Sequence, residues 1–146
     1  MDGTEGAELV RRPTCTFESW ERGGVDLQPD KLVARVEKLV IGSDFGADGY
    51  TTVVQADELA RRLELRAGVR LLDLGSGSGW PGLYLSMQTG CRVVLSDVPL
   101  DGLRRARARA VRERLGARCA VVVASGPHLP FAGKSFDAVI HTDVLC

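Results

Sequence analysis

The chain has 146 residues, 45% of them hydrophobic and 26% charged, an ordinary composition for a globular domain built on one hydrophobic core. Nineteen Lys plus Arg balance nineteen Asp plus Glu, so the molecule lacks the long-range positive field of a protein held on nucleic acid through its phosphates. Cys15, Cys91, Cys119 and Cys146 lie far apart, with no CxxC pair and no histidine at ligand spacing. This argues against a disulfide framework and a metal site, and for a reducing, cytoplasmic setting.

The opening MDGTEGAELVRRP carries acids and no apolar run, unlike a secretory signal, and no stretch reaches the apolar length that spans a bilayer. Residues 1 to about 30 mix Gly, Pro, charges, Phe17 and Trp20 without periodicity and read as an irregular N-terminal arm. Leu32, Val33, Val36, Leu39 and Val40 then fall at helical spacing before Gly42, which predicts a short helix over Lys31 to Ile41 packed on the main body. Thr52 and Gln55 have capping-box spacing ahead of a second helix, whose apolar face is Val53, Ala56, Leu59, Ala60 and Leu63.

From residue 69 strand and helix signals alternate. VRLLDL (69–74) is an apolar run with one acid, the pattern of a strand buried on both faces. A turn with four glycines follows, GSGSGWPG, and then a helix that Pro81 can open and Gly90 can close. CRVVLSD (91–97) is a second strand, Pro99 to Leu115 an Ala- and Arg-rich helix, CAVVVAS (119–125) a third strand and FDAVIHTD (136–143) a fourth. This order, with crossovers of βαβ length, predicts an α/β fold with a Rossmann-like parallel sheet and flanking helices.

The chemistry concentrates in Leu71-Leu72-Asp73-Leu74-Gly75-Ser76-Gly77-Ser78-Gly79. Glycines after a strand let the backbone turn sharply and approach a ligand, and the next helix aims its free N–H groups at the same place. That describes a nucleotide-type cofactor site. Gly77-x-Gly79-x-x-Gly82 also satisfies the dinucleotide fingerprint, with Asp97 about twenty residues on, so a nicotinamide or flavin reading competes. Asp73 speaks against it, because a carboxylate 4 Å from a pyrophosphate repels by about 4 kcal/mol at an effective dielectric near 20. A cationic ligand is attracted instead.

LLDLGSGSG, Asp97 in VVLSDV and HLPF…SFDAVIHTDVL resemble successive motifs of the class I S-adenosylmethionine-dependent methyltransferases, in particular the small-molecule branch that includes ubiquinone and menaquinone methyltransferases. The likeness runs from about Tyr50 to the end, so residues 1–49 form an N-terminal arm and helix and residues 50–146 the cofactor-binding core. The resemblance implies that Gly75, Ser76, Gly77 and Gly79 line the methionine and ribose portion of S-adenosylmethionine, and that Asp73 supports the loop or the ammonium. It further implies that Asp97 accepts bonds from the ribose hydroxyls, with Val98 against the adenine. Where the family usually offers an acid after the third strand this chain has Ser125, followed by Gly126, and a hydroxyl can still accept from the adenine amino group. Thr142, at the end of the fourth strand, faces the site from the other side of the switch point.

His128 and His141 read as structural, since in-line displacement at a sulfonium needs alignment more than a base; no catalytic residue is assigned. The arginines of DGLRRARARAVRERLGAR read as a solvated helix face and not as an RNA strip, given zero net charge and no interleaved aromatics. Trp80 and Tyr50 either wall the pocket or pack in the core. The family sheet has seven strands, whereas the elements here describe the first four, so the chain is expected to be C-terminally incomplete. Its fourth strand then forms an apolar edge, open to a partner strand or a second copy. The implied function is methyl transfer to a small-molecule acceptor that the sequence does not name. A non-catalytic cofactor-binding or assembly module is the alternative, and an NAD(P)-dependent oxidoreductase the third reading.

Overall fold

The protein is described here by a computed structural model of residues 29–46 and 49–144. The N-terminal arm with Cys15, Phe17 and Trp20 lies outside the described residues, as does Cys146. The elements are α1 (Pro29–Val40), α2 (Val53–Arg62), β1 (Arg70–Leu74), α3 (Gly82–Thr89), β2 (Arg92–Asp97), α4 (Leu100–Arg112), β3 (Cys119–Val123), a 3-10 turn (Gly126–His128) and β4 (Ala138–His141).

The four strands are parallel in the order β3-β2-β1-β4, with Asp73 of β1 opposite both Leu95 of β2 and Ile140 of β4. β1 is flanked on both sides, and Leu71, Leu72 and Asp73 are all buried, as a double-faced strand requires. β3 and β4 are the two margins, and β4 alternates buried Ala138 and Ile140 with exposed Val139 and His141.

The helices are placed by their ends and faces. Thr52 and Gln55 form the expected capping box: the Thr52 hydroxyl accepts from the Gln55 N–H, and Gln55 Oε1 accepts from the Thr52 N–H at 2.8 Å. Gly90 closes α3 in the left-handed conformation at φ 76°, a position that suits glycine. Gly102, Leu103, Ala106 and Ala110 are the buried face of α4.

One expectation needs correction, and a second needs it at a single residue. Helix α1 forms, but its apolar residues Leu32, Val33, Val36, Leu39 and Val40 are exposed, and Glu37 is the buried side chain of its face, accepting a hydrogen bond from the Gly46 N–H at 2.8 Å. Ile41 and Phe45, just beyond the helix, make the core contact instead. Helical spacing defines an apolar stripe, but it does not say what covers it. The arginines of α4 are exposed as expected, Arg109 excepted. The Arg109 guanidinium sits 4.5 Å from the Phe45 ring centroid and donates to the Asp44 carbonyl at 2.6 Å, because Phe45, Trp80 and Tyr84 form an aromatic cluster beside it.

Candidate functional site

All four strands end on one side of the molecule, and the loops that leave them there build the site. The glycine turn after β1 folds back over β2. The Gly75 and Ser76 N–H groups donate to the Ser96 carbonyl at 2.7 and 3.2 Å, and the Gly77 N–H donates to Asp97 Oδ2 at 2.7 Å. The other carboxylate oxygen of Asp97 accepts from the Val98 N–H, also at 2.7 Å. Asp97 therefore ties the turn after β1 to the end of β2. Gly75 has φ 69°, and a Cβ there would lie 2.4 Å from the Val144 side chain, so both conformation and space call for glycine.

Asp73 is fully buried and lines neither of the two cavities that flank the Gly75–Asp97 junction. Its Oδ2 accepts from the Gly82 N–H at 3.0 Å, while Oδ1 is buried without a partner among the described residues. A Cβ on Gly82 would sit 2.5 Å from Oδ2, so glycine at the start of α3 lets the helix close onto the carboxyl group. Burial holds this group well above the usual carboxylate range; the Gly82 bond opposes the rise and the charge of Asp97 adds to it. Burial thus disfavours the charge that the sequence argument gave Asp73.

Two concavities flank the Gly75–Asp97 junction. The first, about 310 Å³, is lined by the Gly75–Ser78 turn, Gly49, Trp80, Asp97, Pro99, Asp101, Gly102, Arg105, Thr142 and Asp143. The second, about 290 Å³, is lined by Leu74, Gly75, Ser96, Asp97, Val98, Ala124, Ser125, Gly126, His141 and Val144. Gly75 and Asp97 belong to both. Within the first, the Ser76 hydroxyl is buried and has no partner among the described residues, so its hydrogen-bonding capacity is unspent. Three carboxylates, Asp97, Asp101 and Asp143, line that cavity with a single guanidinium, Arg105, and Asp101 is paired at 3.2 Å with Arg104 outside the lining. Its field favours a ligand that carries positive charge.

The structure thus brings Gly75, Ser76, Gly77, Asp97 and Thr142 to the first cavity, and Gly75, Asp97, Val98, Ser125 and Gly126 to the second. Asp73 and Gly79 stand behind them, Gly79 packing on Leu83 and Ala106 at φ 99°. Ser125 precedes the 3-10 turn, with its hydroxyl 3.4 Å from His128 Nδ1. Trp80 both walls the first cavity and joins the core, whereas Tyr50 is exposed.

Sequence reasoning missed Gly49, Asp101, Arg105 and Asp143. Asp101 and Arg105 lie one turn apart on α4, a helical pair that could have been noticed. Asp143 gave no local signal: it stands at φ 58° and accepts from the Thr51 N–H and hydroxyl at 3.1 and 2.9 Å. Trp80 Nε1 donates to the Thr51 carbonyl at 2.8 Å, and the Ser78 hydroxyl donates to the Gly46 carbonyl, so residues ahead of α2 are drawn onto the glycine turn.

Comparison with known proteins places this geometry. A family model described as "Methyltransferase domain" matches residues 72–146. Methyltransferase GfsG of Streptomyces halstedii is 37% identical over 83 residues, which are 57% of this chain and 30% of that protein. The 27-O-demethylrifamycin SV methyltransferase of Amycolatopsis mediterranei is 35% identical over 83 residues, again 57% of this chain and 30% of its own length. The chain thus spans about a third of the curated relatives it matches. Among solved structures, an S-adenosylmethionine-dependent methyltransferase from Thiobacillus denitrificans aligns with TM-score 0.59 at 20% identity, over 73% of this chain and 42% of that one. The [4+2]-cyclase SpnF aligns with TM-score 0.57 at 23% identity, over 75% and 47%. Likenesses at such identities establish the fold: the Rossmann-like parallel sheet with flanking helices.

Proposed function

This chain belongs to the methyltransferase domain family, and from that premise we propose that it binds S-adenosylmethionine across the two cavities, for methyl transfer to a small-molecule acceptor. The charge of the first cavity carries the reading. Asp97 and Asp143, with Asp101 shared with Arg104, outweigh the one guanidinium of Arg105, which suits a ligand with a sulfonium and an ammonium and disfavours the pyrophosphate of a dinucleotide. The unpartnered Ser76 hydroxyl and the Gly75–Asp97 ridge fit a ligand with polar groups in its middle.

When bound, the cofactor supplies an electrophilic methyl group on sulfur. The chain's part is to hold and orient it. Asp97 Oδ1 and Oδ2 each keep a lone pair beyond the backbone N–H they accept, free for ribose hydroxyls. Val98, Ser125 and Gly126 give the second cavity an apolar wall and a hydroxyl acceptor for the adenine. Thr142 and Asp143 share the lining of the first cavity with the glycine turn. The curated relatives include enzymes named for rifamycin, sterol and ubiquinone/menaquinone methylation, which supports a largely apolar organic acceptor. The open margin of β4, with Val139 exposed, is where we place a covering strand or second copy. Cys91 and Cys119 are free thiols, consistent with a cytoplasmic setting; among the described residues no helix is long and apolar enough to cross a membrane.

Calorimetric titration tests the reading. S-adenosylmethionine and S-adenosylhomocysteine should each bind with one-site saturation, while NAD and NADP should give no saturable heat. Binding of the dinucleotides in place of both adenosyl ligands would overturn it.

A further inference from the structure

Helix α1 is held to the body by its polar side. Within residues 31–40 only Ala34 and Glu37 are not exposed, and Glu37 is buried, accepting from the Gly46 N–H at 2.8 Å. The Gly46 carbonyl in turn accepts from the Ser78 hydroxyl, which ties the helix through that residue to the glycine turn. The outward side is aliphatic. Leu32, Val33, Val36, Leu39 and Val40 fall at i, i+1, i+4, i+7 and i+8, one stripe down the helix, and their exposure runs from 40% at Leu32 to 86% at Leu39. A stripe that served the core would be covered; this one faces solvent.

The charge on this helix is one-sided. Lys31, Arg35 and Lys38 fall at i, i+4 and i+7, a second exposed row. Arg35 borders the aliphatic stripe, lying three positions after Leu32 and four before Leu39, so the two rows are neighbours on the helix surface. Glu37 is the one acid of residues 31–40, and burial withdraws it from the surface. What these residues show to solvent is therefore aliphatic and cationic, with no anion. A helix with an apolar face and cations on its polar side suits the boundary between lipid headgroups and acyl chains.

We propose that α1 docks the protein on an anionic lipid surface, the aliphatic stripe entering the acyl boundary and Lys31, Arg35 and Lys38 meeting the phosphates. With 12 residues the helix is about 18 Å long, short of the roughly 20 apolar residues that a span requires, so it lies on the bilayer and does not cross it. Charge complementarity selects this occupant. A second copy of the helix brings no exposed acid from residues 31–40 to the cationic row, and so short a helix falls well below the about 800 Å² per partner of a stable protein interface. A polyanion without an apolar part would pair the cations and leave the stripe wet. An anionic bilayer satisfies both rows at once. The surface shares no residue with the two cavities, so the proposal does not rest on the cofactor reading.

The test is co-sedimentation of the full chain with sucrose-loaded vesicles, made of phosphatidylglycerol and phosphatidylcholine in equal parts or of phosphatidylcholine alone. Binding to the mixed vesicles is expected, about tenfold or more tighter than to the neutral ones and weakened by added salt, since each cation near the surface contributes about a fivefold factor. Arg35→Gln/Lys38→Gln should weaken it about tenfold or more, and Leu39→Asp, which puts a charge into the stripe, about as much. These variants change exposed residues, so both should unfold in urea as the parent does, which separates lost docking from lost fold. Val111→Asp, at an exposed aliphatic of α4, should bind as the parent. No binding by the full chain, equal binding to the neutral vesicles, or a loss that follows Val111→Asp and not Leu39→Asp would each overturn the proposal. So would a dimer in sedimentation equilibrium that Leu39→Asp dissociates, because the stripe would then be covered by a second copy.

Discussion

Asp97→Ala should destabilise the chain as well as weaken its cofactor site, because the same carboxylate does both jobs. Its oxygens each accept a backbone N–H at 2.7 Å, from Gly77 and from Val98. Bonds to an ionised acceptor contribute about 1.5–3 kcal/mol each when shielded and less when exposed, and the Gly77 bond is part-buried while the Val98 bond is exposed. The net expectation is about 2–4 kcal/mol for Asp97→Ala and roughly half that for Asp97→Asn, whose one side-chain oxygen can still accept a single bond. Urea unfolding with an unchanged slope measures it. A loss under about 0.5 kcal/mol for the alanine variant, the size of an ordinary surface substitution, would show that Asp97 does not hold the glycine turn.

Gly82→Ala places a Cβ 2.5 Å from Asp73 Oδ2 and should cost about 1–3 kcal/mol by urea unfolding, whereas Gly116→Ala meets nothing within 4 Å and should stay within about 0.5 kcal/mol. Arg109→Ala, which removes the stack on Phe45 and the bond to Asp44, should cost about 1–2 kcal/mol, against little for the exposed Arg107→Ala. Asp137 is held at about 2, below its ordinary 3.8, first by the Arg70 side-chain hydrogen bond. Its contribution is therefore complete above pH 3.8 and lost as pH falls toward 2, so Asp137→Asn should lower stability at neutral pH and converge with the parent near pH 2. Asp73 has the opposite sign: with its folded-state value raised, its carboxyl favours the fold at low pH and opposes it as pH rises through that value, a slope that Asp73→Asn should remove from thermal-unfolding profiles.

Much of this fold was legible because a parallel sheet announces itself. A strand buried on both faces cannot alternate, so RLLDL and RVVLSD stand out as continuous runs, and the glycines and the Thr52–Gln55 box punctuate them. The candidate site was legible where its residues end a strand, as Asp97 does, or stand within two positions after one, as Gly75, Ser125 and Thr142 do. It was not legible where tertiary contact decides. Asp143 meets Thr51 from 92 positions away, and Arg109 leaves the solvent because Phe45 arrives from a different segment. Asp73 shows a subtler failure. Asp73 is the one acid inside the motif, but burial disfavours its charge, and the carboxylates that line the first cavity are Asp97, Asp143 and the Arg104-paired Asp101.

The claim that one elongated ligand spans both cavities is tested most directly by backbone amide shifts during titration with S-adenosylmethionine. Ser76 and Gly77 in the first cavity and Val98 and Gly126 in the second should shift together along a single saturation curve, while Arg92 and Gly116 at the far end of the sheet stay still. Shifts confined to one cavity, or saturating at different concentrations in the two, would contradict it.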